Sequence, residues 1–151
     1  RQRASGDAVA RPPSQFQPTA ALARLATTQQ VQQQLGRSAQ TLVDARGAPR
    51  FRGEVEPLDP VAGHIPGALN RPYGDNLDAN GSYKPAATLR QEFEALLAGR
   101  DPAGVVHHCG SGVSAVPNLI AMELAGLGRA ALYAGSWSEW CSDASRPMAQ
   151  G

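Results

Sequence analysis

No apolar run in the 151 residues approaches the roughly 18 uninterrupted positions that a membrane-crossing helix needs, and the N-terminus lacks the apolar core of a secretory signal. These absences predict a soluble, cytoplasmic chain with no membrane partner. Cysteine is scarce. The two present, Cys109 and Cys141, cannot make a disulfide framework, which fits a reducing compartment. Charge of one sign is lacking as well: 14 Lys and Arg against 13 Asp and Glu leave +1. No global field would recruit nucleic acid, so any attraction for anions must be local. A metal-ligating set is missing too, since His107 and His108 are neighbours that point to opposite faces of a strand and no second CxxC-like pair joins Cys109 and Cys141. No metal and no cofactor are expected. What is abundant is core material: 42% hydrophobic residues, enough for one domain.

Residues 1–20, rich in Pro, Arg, Ser and Gln without periodicity, read as a linker or tail, and residues 21–151 as the domain. A short helix follows Thr27 or Thr28 as cap and ends at Gly36. Residues 41–44 form the first strand and residues 68–70 a short second one. Leu89, Phe93, Leu96 and Leu97 lie on one stripe of a helix running from Pro85 to Gly99. Residues 104–108 form the central strand and residues 130–133 the last, and Ser136 caps a short helix carrying Trp137 and Trp140. Strands alternating with helices imply an α/β, three-layer fold with a central parallel sheet and helices on both faces.

The most informative stretch is Cys109-Gly110-Ser111-Gly112-Val113-Ser114, between the central strand and a largely apolar helix. A strand, tight loop and helix in this order direct backbone N–H groups and a helix N-terminus at one point, a cradle for an anion. A thiol there is expected to be acidic and nucleophilic. Gly110 and Gly112 would supply the unusual φ values of such a nest. Pro117, tolerated in a helix's first turn, puts the helix start near Val113 or Ser114. By the strand's period of two, Cys109 shares a face with His107 and need not be a core side chain.

This loop resembles the active-site loop of the rhodanese superfamily, and three further segments are similar to that family in the expected order: residues 42–46, residues 63–72 with His64, Pro66, Gly67, Asn70 and Pro72, and residues 133–140. Arg50-Phe51-Arg52-Gly53 and Gly135-Ser136-Trp137 narrow the resemblance to the C-terminal, cysteine-bearing half of tandem two-domain sulfurtransferases. The resemblance implies a sulfurtransferase in which Cys109 takes a sulfane sulfur from 3-mercaptopyruvate or thiosulfate as a persulfide and passes it to cyanide, a thiol or a thioredoxin-like protein. It also implies that an N-terminal rhodanese domain could precede this one. The N–H groups of Gly110, Ser111, Gly112, Val113 and Ser114 would stabilise the persulfide, and Arg50 would meet the donor's anionic group. Asp44, at the end of its strand, would hold the loops through backbone N–H bonds. His64 reads as a loop fastener and Trp137 as a packing residue.

Two alternatives stand beside this reading. One is a binding or regulatory module on the same fold. The other, a cysteine phosphatase, would need an arginine six residues after the cysteine, where Ala115 stands. Between donors, the neutral Gly110 and Ser111 after the cysteine favour mercaptopyruvate, with its single carboxylate, over dianionic thiosulfate. Leu58, after Glu56-Pro57, stands where a second arginine of the mercaptopyruvate enzymes would be.

Overall fold

The computed structural model describes residues 13–15, 17, 21 and 23–151, so the tail expected over residues 1–20 lies largely outside the described residues. In chain order the elements are β1 (Arg24–Leu25), α1 (Thr28–Gln33), β2 (Thr41–Asp44), α2 (Ala48–Phe51), β3 (Leu69–Asn70), α3 (Ala86–Leu97), β4 (Val105–His108), α4 (Val116–Leu124), β5 (Ala131–Leu132) and α5 (Ser136–Cys141). All strand pairs are parallel, in the spatial order β1-β5-β4-β2-β3. β4 is central and wholly buried, as its apolar run predicts. No helix among the described residues is long and apolar enough to cross a membrane.

Strand alternation divides the core into two layers. Leu42 and Val106, paired across β2 and β4, pack with Val31 of α1, Phe51 of α2, and Trp137 and Trp140 of α5. Val43 and Val105 face the other way, against Leu89, Phe93 and Leu97 of α3 and Ala121 and Met122 of α4. Helices therefore cover both faces, which is the expected three-layer arrangement.

Local chemistry sets most of the boundaries. The Thr27 hydroxyl accepts the N–H of Gln30 while the Gln30 side chain accepts that of Thr27, a reciprocal cap that starts α1. α3 ends at Leu97, two residues before Gly99, because Ala98 itself takes the left-handed cap at φ 48° and Gly99 follows at φ 84°. β1 and α2 were not expected. β1 is two exposed residues, and α2 is a single turn opened by Pro49.

The helix after the cysteine loop starts at Val116, not at Val113 or Ser114. Gly112 at φ 87° turns the chain back so that its N–H reaches the Cys109 sulfur, and helical geometry cannot begin until that turn closes. Pro117 still sits in the first turn. The residue that caps the helix is Ala115.

Candidate active site

Because every strand is parallel, Asp44 at the end of β2 and Cys109 just beyond β4 emerge at the same carboxyl edge of the sheet. Cys109 is buried, contrary to the expectation that it need not be a core side chain. It packs against Ala45 and Ala115 but lines a cavity of about 220 Å³. A larger hollow of about 540 Å³ lies at the opposite edge, between residues 35–42 and 98–101, and no cysteine or histidine lines it.

Four contacts fix the loop. The Cys109 sulfur accepts the Gly112 N–H at 3.1 Å. The Cys109 N–H donates to Ser136 Oγ at 3.1 Å, and that hydroxyl donates to the Tyr133 carbonyl at 3.0 Å. The Cys109 and Gly110 carbonyls accept the N–H groups of Trp137 and Ser138 at 3.0 and 2.9 Å. α5 thus clamps the loop from behind. Ser136, expected as a helix cap, instead adopts φ 56° and positions Cys109, while Gly135 is the cap residue. The N–H groups of Gly110, Ser111, Val113 and Ser114 find no acceptor among the described residues.

The two loop glycines serve different ends. Gly112 needs its positive φ, and a Cβ there would sit 2.6 Å from the Ala134 carbonyl oxygen. Gly110 does not take a positive φ, a correction to the expected nest. A Cβ there would lie 3.4 Å from Arg50 Nη1, so its missing side chain leaves room for the guanidinium.

Arg50 lines the same cavity as Cys109, but it already has acidic partners. Its Nε and Nη2 donate to Glu56 at 3.2 and 2.6 Å, and Nη2 also donates to Asp59 at 3.1 Å. Glu56 also takes Arg46 Nη1 at 3.3 Å and the N–H groups of Leu58 and Asp59 at 3.1 and 3.2 Å. Burial pushes the Glu56 carboxyl up, but the hydrogen bonds from Arg50 and these two N–H groups outweigh it and hold the carboxyl below its ordinary value. Asp44, fully buried, accepts the Arg46 N–H at 2.9 Å and the Arg46 guanidinium at 2.7 to 3.1 Å. The Arg46 guanidinium in turn lies 5.0 Å from the Trp137 ring centre. Sequence reasoning missed Arg46, Asp59, Tyr73, Ser136 and Ser138 at this site. Only the Asp-Ala-Arg spacing at the end of β2 could have pointed to Arg46.

The other candidates lie outside the cavity. His64 stacks on Phe51 at 3.9 Å, its Nδ1 lies 2.7 Å from the Phe51 carbonyl oxygen, and its backbone pairs with Ala149. It fastens the loop. Trp137 is buried, donating to the Val61 carbonyl at 2.9 Å. His107 lies 3.0 Å from the Met122 sulfur, and burial, with His108 and Arg71 adding to it, pushes its pKa down to about 3. Burial lowers His108 as well. Position 115, where a phosphatase loop would carry arginine, is a fully buried alanine.

A parallel α/β domain that closes a small cavity over one cysteine, with open backbone N–H groups and a guanidinium beside it, is the class these features define. The model of the rhodanese-like domain matches residues 27–143, and the chain belongs to that family. It is 54% identical over 137 residues to the probable 3-mercaptopyruvate sulfurtransferase of Pseudomonas aeruginosa, covering 91% of this chain and 48% of that protein. It is 38% identical over 112 residues to the 3-mercaptopyruvate sulfurtransferase of Escherichia coli K12, covering 71% and 38%. The crystal structure of the Tum1 protein from Saccharomyces cerevisiae matches with a TM-score of 0.72 at 33% identity, over 84% of this chain and 46% of that one. The chain thus spans about half the length, or less, of the curated relatives it matches.

Proposed function

We propose that the domain is a sulfurtransferase that moves a sulfane sulfur from 3-mercaptopyruvate or thiosulfate to a thiol or cyanide through a persulfide on Cys109. The observation that carries this is Cys109 itself, which lines the cavity, accepts the Gly112 N–H at its sulfur and belongs to a loop whose other N–H groups are unengaged among the described residues. The names of the relatives at 54% and 38% identity support the reaction class.

In the first half-reaction the Cys109 thiolate attacks the outer sulfur of thiosulfate or the thiol sulfur of mercaptopyruvate. With thiosulfate the S–S bond breaks and sulfite leaves with the electron pair. With mercaptopyruvate the C–S bond breaks and the enolate of pyruvate leaves, to be protonated. In the second, an acceptor thiolate or cyanide attacks the outer persulfide sulfur and Cys109 leaves as thiolate. The N–H groups of residues 110–114 stabilise the negative sulfur, and Arg50 Nη1 meets the donor's anion. Ser111 and Ser114, both at the cavity wall, offer hydroxyls to the departing enolate. Asp44 acts at one remove, by fixing Arg46 under the loop. Neutral residues after the cysteine favour mercaptopyruvate. A thioredoxin-like protein in the cytoplasm is a suitable acceptor, and an N-terminal domain of the same family could form the cavity's other wall.

Intact mass after incubation with either donor tests the reading. One added sulfur, removed by cyanide or a thiol, is the expected result. No added mass with both donors overturns it.

A further inference from the structure

We infer that Asp59 is a specificity-determining residue of this cavity, one that discriminates against doubly charged sulfur donors; the inference rests on the sulfurtransferase reading above. A guanidinium has five N–H donors. In Arg50, the Nε hydrogen goes to Glu56 and the two Nη2 hydrogens go to Glu56 and Asp59. Only Nη1 remains, and it lies against Gly110 beside the nucleophile. Arg50 therefore presents one nitrogen to the cavity rather than a two-nitrogen fork. One carboxylate can be met there, but the cavity's other basic residue, Arg46, is already engaged by Asp44, Glu56 and the Gly63 carbonyl, so a second anionic charge finds no second uncommitted guanidinium.

The charge count points the same way. Arg46 and Arg50 are faced by Asp44, Glu56 and Asp59, two positive charges against three negative. The three acids are not equivalent. Asp44 is bound by its own arginine and backbone. Glu56 joins both arginines and shapes the turn through two backbone N–H groups. Asp59 makes a single side-chain hydrogen bond, to Arg50 Nη2, and lines the cavity. It is the carboxylate whose charge the local pairing does not require.

The Coulombic work of bringing an anion toward that charge is proportional to the anion's own charge. Asp59 therefore penalises thiosulfate twice as heavily, in the logarithm of affinity, as it does mercaptopyruvate. An asparagine can still accept the Nη2 hydrogen bond, so Asp59→Asn removes the charge and keeps the contact.

The experiment compares the wild type, Asp59→Asn and Asp59→Glu. With Asp59→Asn the KM for mercaptopyruvate is expected to fall about threefold and that for thiosulfate about tenfold, with kcat unchanged. Asp59→Glu, which keeps the charge, should retain the wild-type ratio. A readout independent of turnover is the alkylation rate of Cys109, followed on its peptide, with iodoacetate against neutral iodoacetamide. Asp59→Asn should raise the iodoacetate-to-iodoacetamide ratio about threefold. An unchanged alkylation ratio together with equal shifts for both donors overturns the inference. A wild type that takes up sulfur from neither donor overturns the sulfurtransferase reading instead, and the alkylation ratio still decides what Asp59 does.

Discussion

Cys109 and Cys141 are almost equally buried, at 2% and 4% exposure, yet their surroundings differ. Cys109 directly follows the central strand and lines a cavity, its sulfur accepting an N–H and its neighbouring N–H groups unengaged. Cys141 closes a helix, donates its S–H to the Ser138 carbonyl at 3.8 Å, and is pushed up from the ordinary thiol range by burial first and then by the Asp59 carboxylate. Burial therefore does not distinguish the two thiols. Their polar surroundings do: Cys109 lines the cavity with unengaged N–H groups on its loop, whereas the Asp59 and Glu56 carboxylates oppose ionisation of Cys141.

The largest expected effect breaks this comparison at its centre. Cys109→Ser should abolish sulfur transfer, and Cys141→Ser should leave it within about twofold, measured as thiocyanate released from cyanide. Next comes the loop. Gly112→Ala forces a Cβ to within 2.6 Å of the Ala134 carbonyl at φ 87°, which removes the N–H from the Cys109 sulfur. A loss of about 100-fold in kcat/KM is expected, as for the removal of a catalytic N–H donor, with a thermal midpoint lower by several degrees.

Arg50→Ala should be milder, raising the donor KM by about 10- to 100-fold, or about 1.5–3 kcal/mol, in a folded domain. Steady-state kinetics with both donors check it, and unchanged KM values would return Arg50 to a purely structural role with Glu56 and Asp59.

The smallest effect concerns the strand that carries Cys109. Burial holds His107 neutral in the fold with its pKa pushed down to about 3, whereas the unfolded chain takes up a proton near pH 6.5. This stability is present above about pH 6.5 and is lost as pH falls toward 3. His107 alone should cost about 2 kcal/mol between pH 7 and pH 5, and His108 shifts in the same direction. Urea denaturation at the two pH values checks this, and His107→Leu should flatten the difference.

Much of this was legible in the sequence where a pattern repeats or a residue type has few uses. The buried strand at residues 105–108, the apolar stripe of α3 and the Thr27 cap each carry a signal several residues long. The cysteine loop was legible because a Gly-rich turn between strand and helix has a small repertoire. Features that depend on distant partners were not. Glu56 and Asp59 reach Arg50 only because the irregular segment after α2 folds back, and no periodicity marks that return. Ser136 reads locally as a cap, but its hydroxyl is used by Cys109, 27 residues earlier. Gly110 looked like a conformational glycine and proved to be space for a guanidinium.

The most direct test of the central claim is peptide mapping of the wild-type protein after brief exposure to mercaptopyruvate, digested under acidic, non-reducing conditions. The account predicts one added sulfur on the peptide containing Cys109 and none on the peptide containing Cys141. Sulfur on Cys141, or shared equally between the two, would contradict it.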